Sequence, residues 1–169
     1  MEAFIGGGET ALDLEVLRAG LATVDSPGRL EIVRRSPTVL VDAAHNPAGA
    51  RALRDAVQDS FTFARLVGVV AVMKDKEAAQ ILEALEPVLD EVVVTRTSSP
   101  RAMSPRQLGE IADDVFGEHR VTVVDALPDA LDRAAGMADE GGGVSGGVLA
   151  TGSVVTAAEV RMLLGHTDV

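Results

Sequence analysis

Short runs of continuously apolar residues alternate with stretches of helical periodicity along most of this 169-residue chain. A run such as Leu66–Val72 is apolar at every position, which is typical of a strand buried on both faces. Strands of that kind, each followed by a helix, predict a parallel sheet with helices packed against both sides. We predict strands at Leu30–Val33, Thr38–Val41, Leu66–Val72, Val92–Thr95, Val121–Val124 and Val148–Thr151, and helices at Pro47–Asp59, Lys76–Leu85, Ser104–Val115, Leu127–Ala138 and Thr156–Leu164.

The predicted architecture is an α/β, Rossmann-like three-layer domain of about six mostly parallel strands with helices on both faces. The first strand is the exception, because the polar connection at residues 34–37 is too short for a helical crossover and favours a hairpin. We therefore expect this strand to lie antiparallel at the edge of the sheet. Residues 1–28, which contain three consecutive glycines at positions 6–8, are expected to form a linker or N-terminal extension, and residues 29–169 the domain.

The composition of the chain excludes several classes of function. A formal net charge of −11 argues against a nucleic-acid partner, because contacts with phosphates require a basic face. No apolar run is long enough for a membrane span, and Met1–Leu12 lacks the basic start and apolar stretch of a secretory signal. The absence of cysteine excludes disulfides, thiol catalysis and thiolate metal ligands. Together these features predict a cytoplasmic protein, and the charge favours a soluble monomer.

One strand-to-helix turn within Thr38–Gln58 carries an acid, an imidazole and an amide. The predicted strand ends at Asp42, and His45 and Asn46 follow before the helix begins at Pro47. Asparagine is favoured at the N-cap of a helix and proline in its first turn. Ligands of open α/β sheets bind at the carboxyl ends of the strands. These three polar residues therefore form the first candidate site.

Polar residues also follow the other predicted strands, and a parallel sheet gathers them at the same edge. Lysines and helix N-termini attract carboxylates and phosphates, and a glycine followed by a serine lets backbone N–H groups approach a ligand. Each feature also has a structural explanation, since Asn46 and Asp75 can cap helices and Lys74 and Lys76 can be solvated loop charges. Their shared edge is what favours a binding site. The segments concerned are Asp42–Asn46, Lys74–Lys76, Thr95–Ser99, Asp125 and Thr151–Ser153.

Patterns that indicate other chemistries are absent or misplaced. Gly141–Gly146 matches G-x-G-x-x-G, but it follows a predicted helix and precedes a strand, the reverse of a dinucleotide-binding turn, so we predict a flexible loop. The sequence contains neither a phosphate-binding P-loop nor a G-x-S-x-G nucleophile elbow. No pair of histidines has metal-ligand spacing, so no metal site is predicted, and His119 and His166 are expected to be surface residues.

Four motifs occur together and in a distinctive order. They are Pro27-Gly28-Arg29-Leu30-Glu31, Asp42-Ala43-Ala44-His45-Asn46-Pro47, Asp75-Lys76-Glu77, and Thr151-Gly152-Ser153 with Glu159-Val160-Arg161. In this order and spacing, the chain resembles the C-terminal domain of folylpolyglutamate synthase / dihydrofolate synthase, in the Mur ligase superfamily, from near Glu2 to near Gly165. The chain departs from the family at Glu77, where an aspartate is usual, and at Val154-Val155, where an aromatic residue is often found.

The resemblance implies an ATP-dependent ligase that adds L-glutamate to folate or dihydropteroate through an acyl phosphate. Family enzymes are much longer, and their N-terminal domain carries the P-loop and the magnesium site. We therefore expect this chain to work with its own N-terminal ATPase domain and to be inactive alone. ATP and Mg²⁺ are the expected cofactors, with the metal ligands mainly in the other domain.

The same resemblance implies roles for individual side chains. Arg29 would contact the γ-phosphate of ATP and, with His45, is an expected catalytic residue. Asp42 would accept hydrogen bonds from the ribose hydroxyls, and His45 would lie near the nucleotide and the incoming glutamate. The expected nucleotide-binding residues are Arg29, Asp42, His45 and Asn46, and the expected glutamate-binding residues are Lys76 and Ser153.

Two other functions stay open on the sequence. The chain could be the C-terminal domain of a peptidoglycan-precursor Mur ligase, although the combination of the Pro27–Glu31 and Asp42–Pro47 motifs favours the folate branch. It could also be a stand-alone nucleotide-binding or interaction module without chemistry of its own. A P-loop domain encoded upstream in the same reading frame would distinguish a ligase from such a module.

Overall fold

A computed structural model of the chain describes residues 27–140 and 146–166. Strands and helices alternate over these ranges as the apolar pattern predicts, with two single turns of 3₁₀ helix at Glu86–Val88 and Glu118–Arg120. The elements are β1 (Glu31–Arg35), β2 (Thr38–Val41), α1 (Pro47–Ser60), β3 (Arg65–Val70), α2 (Ala78–Leu85), β4 (Glu91–Arg96), α3 (Pro105–Phe116), β5 (Val121–Ala126), α4 (Leu127–Asp139), β6 (Gly146–Thr151) and α5 (Val154–Leu163).

The strands form one six-stranded sheet in the order β1-β2-β6-β3-β4-β5. β1 pairs antiparallel with β2 at one edge, and the other neighbouring strands pair in parallel. The predicted fold class, including its antiparallel edge strand, is thus confirmed. β6, the last strand in sequence, enters between β2 and β3, with Val148 opposite Val39 on one side and Val67 on the other. The carboxyl ends of β2, β6 and β3 therefore lie side by side.

The core has two layers, one on each face of the sheet. Alternate strand residues such as Leu40, Val70 and Leu149 pack against α1, α2 and α3, while their neighbours Val41 and Val69 pack against α4 and α5. Each of these side chains is fully buried, and burial of a valine or leucine contributes about 1.5–3 kcal/mol. Because residues facing both layers are apolar, the strands lack the polar alternation of a half-exposed sheet.

Local capping signals decide where three of the helices begin. The side chains of Asn46, Ser104 and Ser153 accept hydrogen bonds from backbone N–H groups in the first turns of α1, α3 and α5. The Ser104 side chain also pairs with that of Gln107, with 2.9 Å between Oγ and Oε1. α5 starts two residues earlier than predicted, because Ser153 and not a later residue is its cap.

Two predicted boundaries near the sheet edge differ from the structure. α2 begins at Ala78 and not at Lys76, because Lys76 N–H donates to the Met73 carbonyl at 3.1 Å and so belongs to a turn. β3 ends at Val70, two residues early, since its neighbours β4 and β6 supply ladder partners only to that point. The expected linker at residues 1–28, apart from its last two, and the glycine loop up to position 145 lie outside the described residues.

Candidate functional site at the carboxyl edge of the sheet

Four of the predicted site residues line one groove at the carboxyl end of β2. The groove has a volume of about 360 Å³. Its polar lining comes from the turn before β1 and from the β2–α1 turn, and its apolar lining from α1 and the start of α5. The lining residues are Arg29, Leu30, Asp42, Ala43, Ala44, His45, Asn46, Gly49, Ala52, Leu53, Ala56 and Val154.

Asp42 holds the turn that carries Arg29 against the end of β2. One carboxylate oxygen of Asp42 accepts a hydrogen bond from Leu30 N–H at 2.9 Å, and the other accepts one from Ala44 N–H at 2.7 Å. Ala43 N–H in turn donates to the Gly28 carbonyl at 2.7 Å. The half-buried carboxylate therefore has a structural role, and each oxygen keeps a second lone pair for a ligand hydroxyl.

Arg29 and His45 offer complementary groups to a ligand in this groove. Both side chains are exposed, and no described residue forms a hydrogen bond or ion pair with the Arg29 guanidinium. Nδ1 of His45 lies 2.9 Å from the Ala43 carbonyl oxygen. Because a carbonyl oxygen only accepts hydrogen bonds, Nδ1 must carry a proton, and Nε2 is an acceptor whenever the ring is neutral.

Asn46 combines a capping role with a place in the groove. Its Oδ1 accepts a hydrogen bond from Gly49 N–H at 2.8 Å, so the structural explanation of this residue as a helix cap is confirmed. Its amide nitrogen is exposed beside the N-terminus of the 14-residue α1. The partial positive charge of a helix N-terminus favours an anion at this position.

Lys76 lies at the neighbouring β3 end and not in the groove. Asp75 binds the Lys76 ammonium at 3.2 Å and the Arg101 guanidinium at 2.9 Å, so it connects two loops and does not cap α2 as one sequence interpretation suggested. These hydrogen bonds, that from Lys76 first and then that from Arg101, lower the pKa of Asp75. Lys74 is exposed, with its ammonium 3.3 Å from the Pro100 carbonyl.

Ser153 is buried at the β6 end between these two regions. Its side chain is 3% exposed. Its Oγ accepts from Thr156 N–H at 3.0 Å and lies 2.7 Å from the Thr156 hydroxyl, which donates to the Ala71 carbonyl at 3.1 Å. Since that donor is engaged, the Ser153 hydroxyl must donate to Thr156. A contact between Ser153 and glutamate remains a prediction.

Gly152 makes this crowded β6–α5 connection possible. It adopts a φ of +106°, and a Cβ at this position would lie 2.7 Å from the Ala71 carbonyl oxygen. Its N–H donates to the Ala44 carbonyl at 3.1 Å, which joins the β6 end to the β2–α1 turn. A glycine is required for both the conformation and the close approach.

The contact between Glu31 and Arg161 is one that reasoning from the residues alone did not find. The Glu31 carboxylate accepts a hydrogen bond from Gly28 N–H at 2.7 Å and pairs with the Arg161 guanidinium of α5. Partial burial raises the pKa of Glu31, but the hydrogen bonds from Gly28 and Arg161 and the Arg161 charge outweigh this, so the net pKa lies below the ordinary value of 4.5. Both residues belong to motifs of the sequence, at 27–31 and 159–161, but no pattern in the sequence indicated that their side chains meet.

Other predicted polar residues lie apart from the groove. Asp125 is exposed on β5, at the far edge of the sheet from β2. His119 is exposed as predicted, whereas the exposed His166 also places Nε2 2.8 Å from the Val33 carbonyl oxygen. In the described ranges no three His, Asp or Glu side chains come close enough to hold a metal ion. The same ranges contain no helix that is long and apolar enough to cross a membrane.

Comparison with known proteins identifies related sequences and folds. The sequence model of the family "Mur ligase, glutamate ligase domain" matches residues 28–154. The chain is 47% identical over 176 residues to the dihydrofolate synthase/folylpolyglutamate synthase of Mycobacterium tuberculosis, in an alignment that covers 98% of this chain and 36% of that protein.

Solved structures of similar proteins share the fold. The Mycobacterium tuberculosis folylpolyglutamate synthase complexed with ADP superposes with a TM-score of 0.90 at 47% identity, covering 99% of this chain and 38% of that one. The bifunctional folylpolyglutamate synthase/dihydrofolate synthase with Mn, AMPPNP and L-glutamate bound gives 0.76 at 29% identity, covering 92% and 36%. The chain thus spans little more than a third of the relatives it matches.

Proposed function

The chain belongs to the Mur ligase, glutamate ligase domain family, and on that premise we propose that it supplies part of the nucleotide and glutamate site of an ATP-dependent ligase that joins L-glutamate to folate or dihydropteroate. The observation that carries this proposal is the groove, in which an Arg29 guanidinium without a partner among the described residues adjoins the N-terminus of α1. Both features bind phosphate. The names of the similar proteins support a reaction in folate metabolism.

The proposed reaction has two steps. A carboxylate of the folate substrate attacks the γ-phosphorus of ATP, which forms an acyl phosphate and releases ADP. The glutamate amine then attacks the acyl carbonyl, and inorganic phosphate leaves as the amide bond forms. No side chain acts as a nucleophile. Arg29 contributes by bidentate contact with the γ-phosphate oxygens, whose charge it stabilises during transfer.

The groove accommodates the remainder of the nucleotide. Asp42 accepts hydrogen bonds from the ribose hydroxyls with the lone pairs that Leu30 and Ala44 leave free. The exposed amide of Asn46 and Nε2 of His45 provide a donor and an acceptor on the same side. In this proposal Mg²⁺ accompanies ATP, and its protein ligands would come mainly from the N-terminal ATPase domain.

The glutamate substrate would bind beside this groove, at the β6 and β3 ends. Lys76 is suited to the glutamate carboxylate because its side chain is 34% exposed and, among the described residues, its ammonium group is paired only with Asp75. Ser153, the N-cap of α5 at the β6 end, would contribute to the same subsite. Closure of this domain onto the ATPase domain would bring the amine to the acyl phosphate.

An isotope-edited NMR titration of this chain with ATP–Mg²⁺, and then with L-glutamate, tests the proposal. We expect shifts at Arg29, at residues 42–46 and at residues 152–153. Substitution of Arg29 by alanine should weaken ATP binding by about tenfold, the value of one charge-assisted contact. Arg51→Ala is the matched control, since Arg51 is equally exposed on α1 but does not line the groove. Equal affinity of the two variants would contradict the proposed role of Arg29.

Turnover of the longer protein that carries this chain distinguishes the candidate functions. ADP release that requires both L-glutamate and folate or dihydropteroate supports the ligase of the folate branch. Release that requires a peptidoglycan precursor instead would indicate the other branch of the superfamily. ATP binding without either reaction would leave only a nucleotide-binding module.

We further propose that the protein acts in the cytoplasm as a monomer. The net charge of −11 favours solubility and disfavours self-association. Light scattering of this chain should then give a mass near 17.5 kDa at all concentrations. A mass that rises with concentration would contradict the monomer.

A further inference from the structure

Glu31 lies two residues from Arg29 and binds groups on both sides of the turn that carries it. Its carboxylate accepts from Gly28 N–H at 2.7 Å and pairs with Arg161 on α5. The side chains of Glu31 and Arg161 are only 23% and 10% exposed, so water screens this pair less than a surface ion pair. The two residues are in contact although they lie 130 positions apart in the sequence.

The turn between Gly28 and Glu31 needs such a restraint. Leu30 adopts a φ of +44°, a left-handed conformation that is strained for a residue with a Cβ. Leu30 N–H and the Gly28 carbonyl are tied to the β2 end by Asp42 and Ala43. These bonds fix one side of the turn, and Glu31 fixes the other side against α5.

The turn also packs directly against α5. Gly28 has a φ of +72°, and a Cβ on it would lie 3.3 Å from the Cβ of Ala157. A movement of α5 relative to the sheet therefore moves the turn. Arg29 belongs to this turn, and its exposed side chain lines the groove. The contacts of the turn therefore fix the backbone position from which the Arg29 side chain extends.

We propose that Glu31 is a positioning residue: by binding Gly28 and Arg161 it holds the left-handed turn in place, directs Arg29 toward the terminal phosphates of the nucleotide, and couples the nucleotide groove to helix α5. The role for Arg29 rests on the proposed function above, whereas the restraint on the turn does not. An arginine side chain loses much rotamer entropy when it binds a ligand. If the backbone of the turn is already fixed, binding has to order only the side chain and not the turn as well.

Amide hydrogen exchange in the ligand-free chain tests the restraint. Glu31→Gln keeps the size of the side chain and removes its charge, and we expect exchange at Leu30 and Ala43 to accelerate about tenfold through local opening. Glu31→Asp, a second variant, keeps the charge but shortens the reach and should accelerate exchange less. The matched control is Glu91→Gln, since Glu91 is also 23% exposed and pairs with Arg65 at the opposite end of the sheet. It should leave these two amides unchanged.

Nucleotide affinity tests whether the restraint acts through Arg29. In Glu31→Gln we expect ATP to bind about tenfold more weakly and AMP, which lacks the terminal phosphates, to bind within about twofold of the parent. When Arg29 is already alanine, Glu31→Gln should change ATP affinity by less than about twofold, because the two residues act as one unit.

The outcomes separate this inference from the proposed function. Unchanged exchange at Leu30 and Ala43 in a folded Glu31→Gln variant would overturn the positioning role. An equal loss of ATP affinity with and without Arg29 would overturn it as well, because Glu31 would then act by another route. Faster exchange with no effect of either residue on ATP binding would uphold the restraint and refute the nucleotide role of Arg29.

Discussion

Substitution of Gly152 by alanine should destabilise this domain more than any other single methyl group added at the carboxyl edge. The new Cβ would lie 2.7, 3.1 and 3.2 Å from the carbonyl oxygen, carbonyl carbon and nitrogen of Ala71, all of them backbone atoms. The backbone at Ala71 cannot easily move away from Gly152. The Gly152 N–H donates to the Ala44 carbonyl at 3.1 Å, and the Ala71 N–H donates to the Thr151 carbonyl at 3.2 Å.

The expected cost follows from two contributions. The φ of +106° strains any residue with a Cβ, by about 1–2 kcal/mol. Relief of the contact with Ala71 requires a shift of two adjacent strand ends, and overpacking of this kind costs about 1–3 kcal/mol. We therefore expect the free energy of unfolding to fall by about 2–5 kcal/mol. Part of that strain would be transmitted to the Ala44 carbonyl in the groove.

Urea unfolding followed by far-UV circular dichroism measures this effect, since the chain has no tryptophan or tyrosine for fluorescence. Gly136→Ala is the matched control: Gly136 lies within α4, and a Cβ there meets no atom within 4 Å outside its own helix backbone. That variant should gain about 0.5–1 kcal/mol from helix propensity. A Gly152→Ala variant that loses less than about 1 kcal/mol would refute the steric argument.

Three further predictions concern capping and charge. Ser153→Ala should lower the free energy of unfolding by about 1–2 kcal/mol, because it leaves the buried Thr156 N–H without its acceptor. Urea titration should show a smaller loss for Ser104→Ala, because Ser104 is a half-buried cap. Asn46→Asp keeps the helix cap and adds a negative charge to the groove. Calorimetry should therefore show weaker ATP binding at an unchanged free energy of unfolding. A loss of stability would contradict the capping geometry. The pKa of Glu31 is lower when folded than when unfolded, so its contribution to stability is complete above its ordinary value of 4.5 and is lost as the pH falls through the folded pKa. Stability of Glu31→Gln should therefore decline less steeply than that of the parent on acidification, and parallel declines would contradict this.

Several features of the site were predictable because their signals act over one turn of helix. Asn46 and Pro47 mark the start of α1, and Ser104 with Gln107 marks the start of α3. The position of Asp42 after an apolar run placed it at the carboxyl end of a strand, and the groove contains it. These predictions needed only residues a few positions apart.

Contacts between distant segments could not be read in the same way. Asp75 was interpretable as a helix cap, but its partner Arg101 lies 26 positions later, on the loop after the next strand. Nor did the sequence indicate that the packing of α5 against the β3 end buries the Ser153 hydroxyl beside Thr156. The side chain of a strand-end residue can point to solvent or into the core, and periodicity does not decide between the two.

The amino-acid sequence by itself determined the class of fold, the alternation of strands and helices, and the starts of α1 and α3, because each depends on apolar burial or on hydrogen bonds within a few residues. Only the tertiary structure decided that β6 enters between β2 and β3 and that Glu31 meets Arg161. Strand order depends on how helices on both faces pack together, and that free energy is spread over the whole core. The composition of the groove follows from that order, because the carboxyl ends that meet are those of neighbours in the sheet and not of neighbours in sequence.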